Sequence, residues 1–363
     1  MVLFYPVLVL GGLFAVLGTV LLLAERLLIN YGICEIDINA QEKVLEVEGG
    51  QTLLSALYEN KVFIPSACGG RGSCGHCKIT VLEGGGPVLP TETPHLDRKE
   101  VRSGVRLACQ VKVRENIKTR IPEEFLDVKL YSATVTSVRD LTYDIKEILL
   151  SLNDPSEISH RPGQYVQIRA PSPDGPIFRA YSITSPVYEP TKVELNVRLV
   201  PGGIASTYLH SLKEGDDVVF TGPYGEFRLN EEPSTEIVCV AGGCGIAPIK
   251  NIIYSLYDRW PDRTCRLFFG CRTTQDIFYL DDFEELARKH PNLHVVYALS
   301  DPLGRHEKWD GDTGFIHLSV DKYLEAGVKR QAFLCGPPPM VNAVTRVLEE
   351  KGLASEDIFY DEF

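Results

Sequence analysis

Between residues 66 and 77 the chain reads SACGGRGSCGHC, three cysteines spaced C-x5-C-x2-C with four glycines among them. A run so rich in glycine makes neither a stable helix nor a stable strand, because glycine loses the most conformational freedom on folding. It can instead wrap closely around an inorganic core and turn its N–H groups toward sulfur. Cys68, Cys74 and Cys77 are therefore candidate metal ligands, and Cys109, in the stretch RLACQ, is the candidate fourth. Four thiolates are what a [2Fe-2S] centre needs. Zinc is the rival, but structural zinc usually takes two separated short-spaced pairs, whereas here three ligands share one loop and the fourth is distant. A Rieske centre would need a second histidine placed like His76, and none is present. The other six cysteines (Cys34, Cys239, Cys244, Cys265, Cys271, Cys335) are scattered without a disulfide framework, which fits a metal site in a reducing compartment.

The flanks supply a frame for that loop. Residues 33–38 and 44–47 alternate apolar and polar like two paired strands, and residues 53–58 follow as a short helix. The expectation for residues 33–124 is a small α+β domain, a mixed sheet crossed by a helix. On its cysteine loop and RLACQ this segment resembles [2Fe-2S] ferredoxin domains. Plant-type ferredoxins place four residues between the first two ligands. The five found here resemble the ferredoxin domain of the F subunits of Na+-translocating NADH:quinone reductases.

Residues 131–138, 145–152, 165–170, 193–200 and 218–221 read as short strands broken by proline and glycine, so 128–230 is expected to be an antiparallel β-barrel. Within it, RAYS offers Arg179 as a charge for a diphosphate, Tyr181 as an aromatic face for a flavin ring and Ser182 as a hydroxyl near its redox-active edge. GGIASTY places Gly203, Ser206 and Thr207 at the start of a short helix, where N–H and hydroxyl donors favour phosphate. RAYS, GGIAST and GPYGEF occur in the order of the ferredoxin-NADP reductase superfamily, and that resemblance implies FAD. FMN would satisfy the same ring and phosphate contacts.

From about 233 to 363 strands alternate with helices, which implies an α/β domain with a parallel sheet covered on both faces. An apolar strand at 236–241 runs into GGCGIAPI, with Gly242, Gly243 and Gly245, and a helix is expected over 251–257. A glycine turn from strand to helix is a phosphate-binding geometry, although GxGxxG itself is absent. Gly270 and Arg272 in FGCR, Ser300 and Asp301 in ALSDP, and Cys335 and Gly336 in LCGPPPM match further landmarks of the same superfamily. The resemblance puts Cys335 beside the nicotinamide and the C-terminal Phe363 over the flavin. Cys244 is open between a small core residue and a modifiable thiol near the pyrophosphate. Where NADP-using relatives often carry Arg, this chain has Asp301, a carboxylate that repels a 2'-phosphate and can accept from ribose hydroxyls. NADH is the expected nucleotide. Ser182, Cys335 and Phe363 are the residues expected nearest the hydride transfer, and no Ser-His-Asp arrangement is needed for it.

The formal charge of −12 argues against a nucleic-acid partner. Residues 3–24 are apolar and uncharged, long enough to span a bilayer, and lack the flanks of a cleaved signal peptide. The expected organisation is a transmembrane anchor over 1–26, a ferredoxin domain, a flavin barrel and a nucleotide domain. That order resembles the same F subunits, which carry a longer insertion where this chain has only PSPDGPIF before RAYS. The implied path runs from NADH to FAD to the [2Fe-2S] cluster and on to membrane reductase subunits or another membrane acceptor. It places a single-pass protein in the inner (cell) membrane with its catalytic body in the cytoplasm. The alternative is the reductase component of a multicomponent oxygenase, a class that normally lacks an anchor.

Overall fold

The computed structural model describes residues 11–20, 31–173, 175–225, 227, 229, 232–301 and 309–362. Residues 11–20 form helix α1, exposed almost throughout. The rest of the apolar segment 3–24 lies outside the described residues, and so does Phe363. Among the described residues no helix is long and apolar enough to cross a membrane. The expected span therefore rests on the sequence.

The chain divides after Val128 into two compact units. In the first, β1 (Ile33–Ile38) buries Cys34, Ile36 and Ile38 and pairs antiparallel with β2 (Lys43–Glu48), which buries Leu45 and Val47. The alternation in the sequence is thus one-sided burial with the period of a strand. Helix α2 (Leu53–Glu59) is capped by Thr52, whose Oγ1 accepts from the Ser55 N–H at 3.1 Å, and buries Leu53, Ala56 and Leu57. The chain continues through the cysteine loop into β3 (Lys78–Glu83), α3 (Arg98–Arg102), β4 (Val105–Leu107), β5 (Ile117–Arg120) and α4 (Glu123–Leu126). The sheet order is β2-β1-β5-β3-β4, with β1 and β5 parallel and the other pairs antiparallel. Lys78 pairs with Leu107, and the Ala108 N–H donates to Cys77 O at 2.8 Å. That register brings the chain at Cys109 back alongside the chain at Cys77.

The second unit begins with a six-stranded antiparallel sheet. Its strands are β6 (Lys129–Asp140), β7 (Ile145–Asp154), β8 (Tyr165–Ala170), β9 (Ile177–Ser182), β10 (Lys192–Arg198) and β11 (Asp217–Tyr224), in the order β10-β7-β6-β11-β8-β9. A bridge from Ile183 to Leu195 joins the two ends, so the sheet curls toward a barrel around Ile148, Leu150, Val166, Ile168, Leu195 and Phe220. Helix α5 (Ile204–Ser211) follows β10. No pattern in the sequence marks β9, the strand that carries RAYS. All six of its residues are half-buried, so apolar and polar positions do not alternate.

The remainder is a parallel sheet of β12 (Glu236–Gly242), β13 (Cys265–Cys271), β14 (Leu293–Leu299), β15 (Asp312–Thr313), β16 (Arg330–Gly336) and β17 (Ile358–Glu362), ordered β15-β14-β13-β12-β16-β17. Strand β12 is buried along its whole length. Ile237, Cys239 and Ala241 pack in one core with α6 (Ile246–Arg259) and α7 (Leu280–Lys289). Val238 and Val240 pack in another with α8 (Ile316–Tyr323) and α9 (Pro338–Glu350). A continuous apolar run is what a strand covered on both faces requires. Helix α6 starts at Ile246, ahead of the expected 251, because Pro248 stands in the first turn, where its missing N–H breaks no helical bond.

Candidate functional site

The cysteine loop is shaped by its backbone. Gly69, Gly70, Gly72 and Gly75 all have positive φ, a conformation that disfavours any side chain. At Gly72 the demand is doubled, since a Cβ there would stand 2.7 Å from Gln110 Nε2. The Ser66 hydroxyl accepts from the Gly70 N–H at 3.0 Å and steadies the first turn of the loop.

All four expected ligands come together, as two interacting pairs. The Cys68 thiol is drawn down to about 3 by its hydrogen bond with Cys74, against burial, with the Ser73 and Cys74 N–H groups adding to the effect. The Cys109 thiol is drawn down to about 7 by Cys77, against burial, with further help from the Gln110 amide and the Gly72 N–H. Cys74 and Cys77, the donors of the two pairs, are pushed up correspondingly. Two thiols for each of two irons is the donor arrangement of a [2Fe-2S] centre, whereas one zinc would gather all four around one point. The residues present fit the two-iron group.

The support beneath Cys109 carries no motif in the sequence. Arg106 and Glu92 form a fork-to-fork ion pair, Nε to Oε1 at 2.9 Å and Nη2 to Oε2 at 2.7 Å, with Glu92 fully buried and Arg106 nearly so. Arg106 also donates to Gly85 O, Gly86 O and Pro87 O, while Glu92 accepts from the Leu89 and Leu107 N–H groups. Burial works to raise the Glu92 carboxyl, but Arg106 and those N–H groups outweigh it and hold it below its usual range. The only trace in the sequence was Arg106 itself, within RLACQ.

In the second unit, Arg179, Tyr181 and Ser182 line up on β9. The Tyr181 ring packs against the barrel core, and burial pushes its hydroxyl up to about 12, partly offset by Arg179. Gly203 caps α5 and Thr207 is exposed on its first turn. The Ser206 hydroxyl is engaged within the turn, accepting from the Val200 N–H at 3.1 Å and donating to Gly203 O at 3.2 Å.

The nucleotide landmarks share one edge. Gly242 ends β12 and Gly243 and Gly245 follow it, Gly270 is the penultimate residue of β13 and Arg272 follows that strand, Ser300 and Asp301 follow β14, and Cys335 and Gly336 end β16. This is the carboxyl edge of adjacent parallel strands, where open α/β sheets bind ligands. A Cβ on Gly245 would lie 2.1 Å from Cys335 O, so only glycine lets the two turns touch. Asp301 faces Arg272 across 4.0 Å, both well exposed. Cys335 is buried, and burial first, then Asp361 and Cys244, push its thiol up.

The glycine turn also meets the flavin barrel. Cys244 donates its thiol to Asn196 O on β10 at 3.2 Å, and burial pushes it up to about 11. It is partly buried and packs against the core beneath it. Nearby, Tyr279 adopts a left-handed backbone, φ 62°, and points its hydroxyl at Glu147 Oε2 (2.7 Å), Asn196 Oδ1 (2.9 Å) and Glu194 Oε1 (3.2 Å). Lys250 Nζ sits 2.6 Å from Glu194 and 4.2 Å above the Tyr279 ring. Burial raises the Glu194 carboxyl, while for Glu147 burial is outweighed by bonds with Arg139 and Tyr279.

These arrangements define a class, the NADH-dependent oxidoreductases that carry FAD and a [2Fe-2S] cluster on one chain. Family models agree: a 2Fe-2S iron-sulfur cluster binding domain matches residues 36–114, an oxidoreductase FAD-binding domain 132–229 and an oxidoreductase NAD-binding domain 239–346. The chain belongs to the family of F subunits of the Na(+)-translocating NADH-quinone reductase. It is 37% identical to the F subunit of Neisseria meningitidis over 391 aligned residues, and to that of Klebsiella pneumoniae over 392, in each case covering 96% of both chains. Both alignments exceed the 363 residues of this chain, so these relatives carry residues that it lacks. Among solved structures it is similar to an Amycolatopsis cytochrome P450 reductase (TM-score 0.74, 30% identity, 91% of this chain and 98% of that one). It is also similar to the ferredoxin reductase in carbazole 1,9a-dioxygenase (TM-score 0.70, 28% identity, 92% and 98%).

Proposed function

We propose that this chain is the NADH-input subunit of a membrane-bound, Na+-translocating NADH:quinone reductase, and that it delivers electrons to partner subunits in the membrane. The observation that supports this most is the contact of the glycine turn after β12 with β10, Cys244 Sγ to Asn196 O at 3.2 Å. Hydride transfer needs its two reacting atoms held within contact distance, which this apposition favours. A bound FAD would supply the conversion between the two-electron chemistry of NADH and the one-electron chemistry of the cluster.

The residues divide the work of holding these groups. Arg179 offers charge to the FAD diphosphate, Tyr181 a ring face and Ser182 a hydroxyl. The amino end of α5, from Gly203 to Thr207, offers N–H donors to phosphate, with Ser206 keeping that turn in shape. Gly242, Gly243 and Gly245 admit the NADH pyrophosphate, and Gly270, Arg272, Ser300 and Asp301 border its adenosine half. Cys335 and Gly336 would flank the nicotinamide, and the C-terminal Phe363, by the family resemblance, would cover the flavin until nicotinamide enters. Cys68, Cys74, Cys77 and Cys109 hold the cluster. Residues 3–24 anchor the chain in the inner membrane by a single span, with the catalytic body on the cytoplasmic side, where NADH is found.

The test uses the full-length protein carrying its flavin and cluster. NADH should bleach the flavin and produce the paramagnetic signal of a reduced [2Fe-2S] cluster. Cys77→Ala should abolish that signal and keep the bleaching. A cluster signal surviving in Cys77→Ala would overturn the ligand assignment, and absence of bleaching in the parent would overturn the nucleotide path.

A further inference from the structure

Gln110 turns its side-chain amide back onto the cysteine loop. Its Nε2 lies 3.4 Å from Cys109 Sγ and 3.4 Å from Cys109 O, and its Oε1 accepts from Thr91 Oγ1 at 2.8 Å. The two contacts fix the sense of the amide. A hydroxyl can donate or accept, whereas a metal-bound thiolate only accepts. The arrangement that satisfies both neighbours therefore puts nitrogen on sulfur and oxygen on the hydroxyl.

The amide's neighbours are tied to a buried ion pair. Thr91 precedes Glu92, which is locked to Arg106 by the buried ion pair, and Arg106 gathers the carbonyls of Gly85, Gly86 and Pro87 from the same loop. Below the amide lies Gly72, where a Cβ would come within 2.7 Å of Nε2. The glycine thus keeps open the space that the amide occupies.

We propose that Gln110, oriented by Thr91, sets the reduction potential of the cluster by donating an N–H to the ligand sulfur of Cys109. Reduction adds negative charge, part of which resides on the thiolate sulfurs, so a donor aimed at one of them stabilises the reduced form more than the oxidised form. Thr91 is a positioning residue, acting only through the amide it holds. The inference rests on Cys109 being a cluster ligand.

The experiment is a redox titration of the cluster in the full-length protein, followed by the paramagnetic signal of its reduced state. Gln110→Leu removes the donor without adding charge, and should shift the equilibrium toward the oxidised cluster by about tenfold, about 59 mV for a one-electron couple. Gln110→Glu loses the donor and gains a negative charge, and should shift it at least as far in the same direction. Thr91→Val releases the amide and should shift it the same way by less. An intact cluster in Gln110→Leu at the parent potential overturns the proposal, and so does a shift seen with Glu alone, which would report charge and not the donor. If Gln110→Leu fails to hold a cluster, Thr91→Val decides, and a parent-like potential there overturns the proposal. Cys109→Ser separates this from the ligand assignment. A parent-like cluster spectrum in that variant would remove Cys109 as a ligand and the proposal with it, whereas an altered or absent spectrum upholds the ligand and lets the Gln110 variants decide.

Discussion

The two units arrive at their sites by different means. In the first, three of the four thiols lie between residues 68 and 77, and a backbone bent through positive φ at four glycines does the shaping. In the second, the flavin barrel and the nucleotide sheet are joined by side chains far apart in sequence, as with Tyr279 and Glu147, 132 positions apart. A site carved from backbone announces itself through the spacing of its glycines and cysteines. A site made where side chains cross between sheets leaves no local pattern.

The contrast can be broken from inside the first unit, which also rests on a buried side-chain pair. In Glu92→Gln the Arg106 guanidinium stays buried without its counter-ion, and removing one partner of such a pair costs about 3 kcal/mol or more. The expected outcome is a loss of that size in denaturant unfolding of the ferredoxin unit at neutral pH. Because the folded-state carboxyl is held below its usual range, its contribution is complete above about pH 4.3 and fades as pH falls through the lower folded value. The gap between parent and variant should therefore narrow in acid. A variant as stable as the parent at pH 7 would mean that the glycine-shaped loop stands without this pair, and the difference between the two units would be sharper still.

The same contrast explains what the sequence disclosed. The four cysteines, the β1–β2 pair, α2 and the nucleotide landmarks on one sheet edge were legible, because each rests on periodicity or on glycine next to a strand end. Strand β9 was not, since IFRAYS is half-buried at every position and has no period to detect. Nor was Tyr279, whose left-handed backbone belongs by propensity to glycine or asparagine and is held in a tyrosine only by tertiary contacts. Thr91 and Gln110 were invisible for a similar reason: their meaning depends on a side-chain contact across 19 positions that leaves no local pattern.

A milder perturbation bears on the second unit. Tyr279→Phe removes one hydroxyl, whose single proton serves one of Glu147, Glu194 and Asn196 at a time, and so leaves one buried acceptor without that donor. An unsatisfied buried polar group costs about 1–3 kcal/mol, less than the broken ion pair. The loss should appear both in unfolding and in a slower NADH-driven bleaching of the flavin, since these bonds cross between the barrel and the nucleotide sheet. Unchanged bleaching with reduced stability would make Tyr279 a packing residue only, and would weaken the claim that side chains align this unit.

The smallest effect on stability is expected at the nucleotide edge, where the contrast predicts that function and folding separate. Arg272 and Asp301 are 4.0 Å apart and both well exposed, and such a pair contributes about 0–1 kcal/mol. Asp301→Arg should therefore leave the unfolding midpoint almost where it was. It replaces a charge that repels a 2'-phosphate with one that attracts it, next to an arginine already in place. The ratio of kcat/KM for NADPH over NADH should rise by about tenfold, equivalent to about 1.4 kcal/mol of differential binding. Because the pair carries so little of the fold, a change in that ratio would report nucleotide recognition itself, and an unmoved ratio would place the 2' position of the nucleotide away from Asp301.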